Sequence, residues 1–334
     1  APFVIAELSG NHSQSLDTAR AMVKAAAESG AHAIKLQTYT PDTMTINSDK
    51  PPFQIKGGLW GGKTLYELYG EAYTPWEWHP ELKAVTDDLE IDLFSTPFDH
   101  SAVDYLEKMD IPVFKIASFE VVDIPLVRRI AQTGKPIIMS TGMASLSEID
   151  EAVKTIRSEG NEQFMLLHCI SSYPAPPEEM NLLTMPHLSA AFGVPAGLSD
   201  HSEGIAAAIG SVALGACAIE KHFIRDRKMG GPDSPFSIET TELEQLVRNV
   251  RTLEKALGKV DYELTERERE SLVFRRSLFV VADIKKGEQF TSANVRSIRP
   301  GIALPPKYID DILGRKATQD ISRGTPLNWS LVGS

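Results

Sequence analysis

Several features that define whole classes of protein are scarce in this 334-residue sequence. It contains only two cysteines, Cys169 and Cys217, so a disulfide framework is excluded and a reducing compartment is favoured. No apolar run approaches the ~20 residues that a membrane-spanning helix needs. No signal peptide precedes the apolar run that begins at Phe3. Together these absences predict a cytoplasmic protein with no membrane partner.

Positively charged residues are also fewer than negatively charged ones. The chain has 34 Lys and Arg residues against 45 Asp and Glu residues, a net charge of −11 at pH 7. That excess of negative charge repels nucleic-acid phosphates and anionic lipids, so we expect neither kind of partner. The composition, 42% hydrophobic and 24% charged, is typical of a globular fold. At about 150 residues per domain, the length predicts roughly two domains.

Short β-rich runs alternate with helical patterns over residues 1–258, which we predict to form one catalytic domain. The eight predicted strands are 3–8, 33–38, 92–97, 113–118, 136–141, 164–169, 195–200 and 218–223. This alternation predicts an α/β fold of parallel strands joined by right-handed crossovers. Eight units fit a closed (β/α)8 TIM barrel better than an open doubly wound sheet. The dinucleotide-binding alternative also lacks its phosphate loop, because no G-x-G-x-x-G follows the first strand.

Helix boundaries are marked by capping residues. Ser15 and Asp123 are predicted N-caps. Ser145 and Thr241 each precede a glutamate by three residues, which is the spacing of a capping box. Gly258 is predicted to end the last helix of the barrel.

Residues 39–80 form a long insert after the second predicted strand. It is rich in Gly, Pro and aromatic residues, among them Trp60, Tyr66, Tyr69 and Trp76. Loops of this length are usually functional or disordered, and the aromatic content argues against disorder. We therefore expect an ordered cover over one end of the barrel.

The character of the chain changes after the barrel. We predict a linker at 259–276 and a small second domain at 277–334. The segments 283–295 and 320–332 share Asp, Ile, a basic residue, Gly and Val in the same order. Two copies are too few for a solenoid and suit a small pseudo-symmetric module of short strands.

Polar side chains concentrate where the predicted barrel strands end, a position that brings them to one mouth of a barrel. They are Glu7, Lys35, Gln37, Thr96, Lys115, Ser118, Glu120, Ser140, Tyr173, Ser199, His201, Glu220 and His222. Burying so many polar groups costs free energy unless they are paired or used. The set therefore predicts a functional site.

The strand-end residues leave two alternatives open. Lys35 and Lys115 form either a cationic clamp for a carboxylate or phosphate, or ion pairs with Glu7 and Glu120. His201 and His222 end neighbouring strands, so they either bind a divalent metal with open positions for water and substrate, or are hydrogen-bonded core histidines.

Seven motifs in this order resemble the sialic acid synthase family. They are Glu7-Leu-Ser-Gly-Asn-His12, Lys35-Leu-Gln37, Ser95-Thr-Pro-Phe98, Phe114-Lys-Ile-Ala-Ser118, Ser140-Thr-Gly-Met143, Gly197-Leu-Ser-Asp-His201 and Glu220-Lys-His-Phe223. Members of that family condense phosphoenolpyruvate with an N-acetylated amino sugar to make nine-carbon 2-keto acids. The C-terminal segment resembles the antifreeze-protein-like (SAF) domain of the family. The insert, at 59–69 and 73–79, is similar to the pseudaminic acid synthase branch.

The resemblance implies a role for each site residue. Glu7, Glu120 and Glu220 would be the catalytic carboxylates, and His201 and His222 would bind a divalent ion, typically Mn²⁺, with Mg²⁺ or Co²⁺ as alternatives. The residues holding phosphoenolpyruvate would be Lys35, Thr96, Lys115, Ser118, Ser140 and Ser199. Gln37, Tyr173 and Asp233 would face the sugar. Arg299, in Ile298-Arg-Pro-Gly301, would reach the active site of a second subunit, which implies a domain-swapped homodimer.

The expected reaction is therefore a phosphoenolpyruvate-dependent carbon–carbon condensation. The favoured sugar is 2,4-diacetamido-2,4,6-trideoxy-altrose, with legionaminate- or neuraminate-type precursors as alternatives. A Schiff-base barrel aldolase, and a sugar-binding protein without turnover, are the competing hypotheses. One departure from the neuraminate branch is Ser171-Ser172-Tyr173, where that branch carries Asn-Ile-Tyr.

Overall fold

Eight parallel strands form a closed barrel in the first part of the chain. The structure, a computed structural model, describes residues 2–334. The barrel strands are β1 (Phe3–Glu7), β2 (Ala33–Thr38), β3 (Asp92–Pro97), β4 (Phe114–Ile116), β5 (Ile137–Ser140), β6 (Phe164–Cys169), β7 (Ala196–Asp200) and β8 (Ala218–His222). Each predicted strand is confirmed, although β4 and β5 are shorter than expected. The chain divides into two units, the first ending at Gly258 and the second being Lys259–Ser334.

Ten helices belong to the first unit in the part of the chain described. They are α1 (Leu16–Glu28), α2 (Pro41–Met44), α3 (Leu65–Ala72), α4 (Trp78–Asp88), α5 (His100–Lys108), α6 (Ile124–Ala131), α7 (Leu146–Ser158), α8 (Thr184–Phe192), α9 (Ala206–Ala213) and α10 (Thr240–Leu257). Among residues 2–334, none of the helices is long and apolar enough to cross a membrane.

The predicted caps are confirmed at three helices and wrong at one. Ser15 and Asp123 accept hydrogen bonds from backbone N–H groups of α1 and α6, and Ser145 forms a capping box with the third residue of α7. At α10 the box is formed by Glu239 and Glu242, two residues before the predicted pair. The reason is Arg227, whose backbone N–H donates to Glu239 and whose guanidinium pairs with both carboxylates.

The barrel interior changes from apolar to charged along β1, β2 and β8. One end is filled by a cluster that includes Ile5, Ala33, Phe94 and Ala218. Because side chains alternate along a strand, the next inward positions on β1, β2 and β8 are Glu7, Lys35 and Glu220, all buried. Larger apolar clusters fill the space between the strands and the helices. The charged groups therefore lie next to an apolar layer inside the barrel, and apolar clusters surround the strands that carry them.

The insert is ordered, as predicted. It contains α2 and α3 and the start of α4. Buried polar contacts attach it to the barrel: His12 Nε2 lies 3.0 Å from Thr74 Oγ1, and His79 Nε2 lies 2.8 Å from Thr38 Oγ1. Burial lowers the pKa of both histidines to about 4, so they stay neutral in these contacts at physiological pH.

The second unit contains α11 (Glu266–Glu270), β9 (Ser277–Val280), β10 (Val295–Ile298) and α12 (Ile309–Ile312), with β9 and β10 antiparallel. Residues 259–276, predicted as a linker, are grouped with this unit. The two related segments pair reciprocally. Asp283 accepts a backbone hydrogen bond from Arg323 and Asp320 accepts one from Lys286, while Ile284 and Ile321 exchange backbone hydrogen bonds. The repeat seen in the sequence is thus a pseudo-twofold pairing that builds one small core.

Candidate active site

A cavity of about 390 Å³ opens at the carboxyl ends of the barrel strands. Most predicted site residues line it, namely Lys35, Gln37, Lys115, Ser118, Glu120, Ser140, Tyr173, Ser199, His201, Glu220, His222 and Asp233. These residues come from separate βα units, and only closure of the barrel brings them together. The predicted clustering of polar strand ends in one pocket is therefore what the structure shows.

Three predicted residues lie elsewhere. Glu7 is fully buried behind the lining, where its carboxylate contacts Lys35 and Gln37. Thr96 is buried on β3 and its hydroxyl has no hydrogen-bond partner among the described residues. Arg299 lies in the second unit, just after β10, with its side chain exposed.

Lys35 bridges two carboxylates at the base of the cavity. Its Nζ lies 2.9 Å from Glu7 Oε2 and 2.7 Å from Glu220 Oε1. Burial lowers the pKa of Lys35 to about 8, an effect that the nearby Lys115 adds to and Glu220 opposes. The ion pair with Glu7, one of the two alternatives for Lys35, is present. The ion pair does not exclude the other alternative, a cationic clamp for a carboxylate or phosphate, because Lys35 also lines the cavity.

Lys115 supplies a second cation beside Glu220. Its Nζ donates to Ser140 Oγ at 2.6 Å and lies 3.9 Å from Glu220 Oε1, which also accepts from Ser199 Oγ at 3.2 Å. Burial acts to raise the pKa of Glu220, but the charges of Lys115 and Lys35 lower it below its usual range. Glu220 is therefore ionised near neutral pH, and the two lysines present positive charge to a bound anion.

Gly142 lies close against two serine hydroxyl groups. Its N–H donates to Ser118 Oγ at 3.1 Å. A Cβ at this position would lie 2.4 Å from Ser171 Oγ and 2.8 Å from Ser118 Oγ. Glycine therefore lets both hydroxyls keep their places, where they form a polar recess next to the lysine pair. Sequence reasoning named Ser118 but gave no role to Ser171.

His201 and His222 lie side by side, as their positions on neighbouring strand ends predict. Their ring centroids are 5.2 Å apart. Nδ1 of His201 lies 2.9 Å from the carbonyl oxygen of Ile170, so in the neutral ring this nitrogen carries the proton and Nε2 keeps a lone pair. Burial and the charges of His201 and Lys35 hold the pKa of His222 well below its usual value, so His222 is neutral. Burial acts to lower the pKa of His201, but Cys169, whose Sγ lies 3.7 Å from Nδ1, raises it above its usual value. A metal bound through His201 would therefore displace a proton.

The donor set fits a divalent cation with open coordination positions. Nδ1 of His222 is buried without a hydrogen-bond partner among the residues that the structure describes, 3.6 Å from Asp233 Oδ2. Within residues 2–334 no group of three or more His, Cys, Asp or Glu side chains has metal-binding geometry. An ion held by this pair would take its other ligands from water and substrate, which suits a Lewis acid rather than a structural metal.

Glu120 faces the cavity from the turn Ser118–Glu120. Burial raises its pKa to about 7, although the charge of Lys115 opposes this shift. Its Oε2 is buried with no hydrogen-bond partner among residues 2–334. A carboxylate that titrates near pH 7 is suited to proton transfer.

The opposite wall of the cavity carries aromatic and hydrogen-bonding groups from the insert and the loop after β8. Trp60 Nε1 donates to the carbonyl of Pro232 at 2.8 Å, and its ring lies 5.6 Å from that of Tyr173. The carboxylate of Asp233 accepts a short hydrogen bond from Ser9. The insert therefore closes over the site by contacting the same loop that carries Asp233.

Sequence reasoning missed several lining residues. They are Ser9, Tyr39, Met44, Leu68, Ala72, Phe98, Ala117, Phe119, Cys169 and Pro232. Ser9 and Phe98 were visible inside the quoted motifs, and the aromatic richness of the insert indicated the rest of the cover only in general terms. The apolar residues had no separate signal, because a lining leucine and a core leucine look the same in a sequence.

The chain matches two protein families. Residues 22–262 match the NeuB family and residues 275–333 match the SAF domain. These ranges correspond to the barrel and to the second unit.

Curated relatives cover nearly the whole chain. It is similar to a pseudaminic acid synthase of Campylobacter jejuni, with 46% identity over 97% of this chain and 95% of the relative. It is also similar to an N,N'-diacetyllegionaminic acid synthase of the same species, with 36% identity over 95% of this chain and 96% of the relative. Among solved structures it resembles an N-acetylneuraminic acid synthetase from Leptospira borgpetersenii in complex with citrate. That match has a TM-score of 0.72 and 34% identity and covers 81% of this chain and 90% of the other.

Proposed function

The chain belongs to the NeuB family, and on that premise we propose that it condenses phosphoenolpyruvate with an N-acetylated amino sugar, releasing phosphate and a nine-carbon 2-keto sugar acid. One observation carries the proposal. A single cavity holds a lysine-lined seat for an anion beside two imidazoles whose ring centroids are 5.2 Å apart. The 46% identity to a pseudaminic acid synthase supports the same reaction class.

Phosphoenolpyruvate would occupy the lysine-lined side. Lys35 and Lys115 supply the charge that its carboxylate and phosphate require, and Ser140 and Ser199 supply hydroxyl donors at the same depth. The recess at Gly142 would offer the hydroxyl groups of Ser118 and Ser171 to phosphate oxygens. Thr96 on β3, whose buried hydroxyl has no hydrogen-bond partner within residues 2–334, would be a further contact.

His201 and His222 would hold the divalent metal, for which Mn²⁺ is the first candidate and Mg²⁺ and Co²⁺ the alternatives. When bound, such an ion supplies Lewis acidity that makes an aldehyde carbon more electrophilic. The chain's own contribution is to keep His222 neutral and to orient His201 through the carbonyl of Ile170.

The proposed chemistry balances without a covalent enzyme intermediate. C3 of phosphoenolpyruvate bonds to the aldehyde carbon of the open-chain sugar, the aldehyde oxygen takes a proton, and positive charge develops at C2. Water adds to C2 and gives up a proton, for which Glu120 is the acceptor because its pKa is about 7. The C2–O bond to phosphate then breaks, and the remaining C2 hydroxyl loses its proton to give the keto group. Glu220 stays ionised, and Glu220 and Glu7 hold Lys35 between them.

The sugar would lie against the aromatic wall. Trp60, Tyr69, Phe98 and Phe119 give that side of the cavity an apolar surface, which suits a 6-deoxy carbon or acetamido methyl groups. We therefore favour 2,4-diacetamido-2,4,6-trideoxy-altrose. A legionaminate-type precursor is the second candidate, because the relative at 36% identity is a legionaminic acid synthase, and a neuraminate-type precursor is the third.

Arg299 would complete the site from the second unit of another copy, in a domain-swapped homodimer. Two surfaces support this proposal. Phe119, Val122 and Met143, on loops at the cavity end of the barrel, are 55%, 58% and 63% exposed. In the second unit Ile302, three residues beyond Arg299, is 66% exposed. We also place the enzyme in the cytoplasm, since Cys169 and Cys217 are free thiols.

Phosphate release from phosphoenolpyruvate, measured with a panel of amino sugars, tests the reaction and its substrate together. We expect phosphate release that depends on the sugar, is lost with EDTA and returns with Mn²⁺. In H₂¹⁸O the phosphate should stay unlabelled, and label in phosphate would contradict cleavage of the C2–O bond. Inactivation by borohydride together with substrate would instead support the Schiff-base aldolase. Sugar binding without phosphate release would support the binding-protein alternative.

Mixing two inactive variants tests the swapped dimer. Arg299→Ala and Glu220→Gln chains each lack one part of the site. If Arg299 acts across the interface, mixed dimers contain one complete site and activity returns on unfolding and refolding the mixture. If activity does not return although mixed dimers form, Arg299 does not act in the partner's site.

A further inference from the structure

Ser9 has a backbone conformation that a serine rarely adopts. Its φ is +45°, in the left-handed region where a residue with a Cβ is strained and glycine is not. Ser9 is also 4% exposed and lies at the cavity wall. A buried serine in a position that favours glycine indicates that the hydroxyl group offsets the strain or has a use in the site.

The hydroxyl of Ser9 links two side chains of the cavity wall. It accepts a hydrogen bond from Gln37 Nε2 at 3.1 Å and donates a short hydrogen bond to Asp233 Oδ2. Gln37 Nε2 also donates to Glu7 Oε1 at 3.1 Å, and the N–H of Ser9 donates to the same oxygen at 3.0 Å. Side chains from β2 and from the loop after β8 thus meet at one serine on the loop after β1.

These contacts decide which groups the wall can offer to a ligand. Both N–H groups of Gln37 are used by Glu7 and Ser9, so its amide oxygen is what remains for a ligand. Ser9 donates its hydrogen bond to Oδ2 of Asp233, so Oδ1 is the carboxylate oxygen that Ser9 does not contact. The wall therefore presents hydrogen-bond acceptors, and these match the N–H and O–H groups of an amino sugar rather than an anionic ligand.

We propose that Ser9 is a positioning residue that holds Gln37 and Asp233 as a pair of acceptors for donor groups of the amino sugar. The identity of the ligand as an amino sugar rests on the proposed function. The hydrogen bonds that Ser9 makes to Gln37 and Asp233 do not depend on it. Glycine at position 9 would relax the backbone and remove one hydrogen bond from each acceptor. Alanine would keep the strained backbone and remove the same two hydrogen bonds.

Ser9→Gly and Ser9→Ala, compared with Ser13→Gly, test the proposal. Ser13 has a similar φ of +47° but is exposed, so its glycine variant repeats the backbone change away from the cavity wall. We expect KM for the sugar to rise about tenfold in both Ser9 variants, the size of one lost hydrogen bond to a charged group. KM for phosphoenolpyruvate should stay within twofold, and Ser13→Gly should leave both constants unchanged. The melting temperature of Ser9→Gly should not fall below that of Ser9→Ala.

A direct binding measurement separates failure of this inference from failure of the proposed function. Calorimetric titration of the wild type and the variants with the amino sugar does not require turnover. Weaker sugar binding in both Ser9 variants supports the positioning role even if the wild type releases no phosphate. Unchanged sugar affinity and KM in Ser9→Gly would overturn it. So would an equal loss of sugar and phosphoenolpyruvate affinity, because that pattern indicates a general structural role.

Discussion

Lys221 Nζ lies 2.8 Å from Asp200 Oδ2 and 2.7 Å from the carbonyl oxygen of Ser202. Lys221 immediately precedes His222, and its two partners are the residues on either side of His201. The ion pair is almost completely buried, with side-chain exposures of 1% and 0%. It therefore fixes the backbone around one imidazole relative to the strand that carries the other.

Removing the ion pair between Lys221 and Asp200 should weaken metal binding more than it weakens the binding of the substrates. We expect Lys221→Met, combined with Asp200→Asn to avoid an unpaired buried charge, to lower Mn²⁺ affinity by about tenfold or more, as for other groups that orient metal ligands. Electron paramagnetic resonance of free Mn²⁺ measures the affinity without turnover. The control is Lys154→Met, which removes an exposed pair with Asp150. A folded double variant with unchanged Mn²⁺ affinity would show that the pair serves stability alone.

Glu120 should produce the acid limb of the pH profile. Its pKa of about 7 means that the carboxylate needed as proton acceptor is lost as pH falls. We expect kcat to decrease below about pH 7 in the wild type, and Glu120→Gln to be slow and lack that limb. Initial rates from pH 5.5 to 8.5 at saturating substrates give the comparison. An unchanged acid limb in Glu120→Gln would assign it to another group.

The same carboxyl group should make the protein less stable as pH rises. Because its folded pKa lies above the ordinary value of 4.5, the folded state binds the proton more tightly than the unfolded state between these pH values. Stability is therefore lost as pH increases through that interval. The melting temperature of Glu120→Gln, relative to wild type, should rise from pH 4.5 to pH 8. A difference that does not change with pH would contradict the raised pKa.

Lys35 should control affinity for phosphoenolpyruvate on the alkaline side. Its pKa of about 8 is low for a lysine, so the cation that attracts the substrate anion is lost above that pH. We expect the dissociation constant for phosphoenolpyruvate to increase between pH 8 and pH 9.5. Lys35→Arg should remove this dependence because arginine stays charged, whereas Lys35→Met should bind weakly at every pH.

Gly142→Ala should interfere with the phosphate side of the cavity. The new Cβ would lie 2.4 Å from Ser171 Oγ and 2.8 Å from Ser118 Oγ, so the two hydroxyls that form the recess must move. We expect KM for phosphoenolpyruvate to rise at least about tenfold, with a smaller change for the sugar. Gly210→Ala is the matched control, since its Cβ would meet Leu182 Cδ1 at 3.8 Å, an ordinary van der Waals contact. Equal effects on both substrates would place the recess outside the phosphate site.

The barrel could be predicted because its signals are local. Eight β-rich runs separated by capped helices follow from hydrogen bonding and side-chain periodicity within short stretches of chain. The cap that was wrong, at Thr241, shows the limit of this approach. Arg227 lies outside the helix and moves the capping box to Glu239 and Glu242 through contacts that no local pattern contains.

The residue types of the candidate site could be predicted from the sequence, but the contacts between those residues could be predicted only in part. Lysines, histidines and carboxylates at strand ends identified the mouth of the barrel. The sequence could not decide whether Lys35 pairs with Glu7, faces a substrate, or does both. It also gave Asp200 and Lys221 no separate role, although they lie next to the two histidines. Strand register and the alternation of side chains decide which of two neighbouring residues points inward.

The amino-acid sequence by itself determined that this is an acidic, two-part chain with a (β/α)8 barrel and a ring of polar strand ends. Those properties depend on the order of residues over short distances. Only the tertiary structure decided that Glu220 lies against Lys35, that Ser9 joins Gln37 to Asp233, and that Trp60 reaches the loop beyond β8. Such contacts arise when the barrel closes and its loops pack over one mouth, so residues far apart in the chain become neighbours.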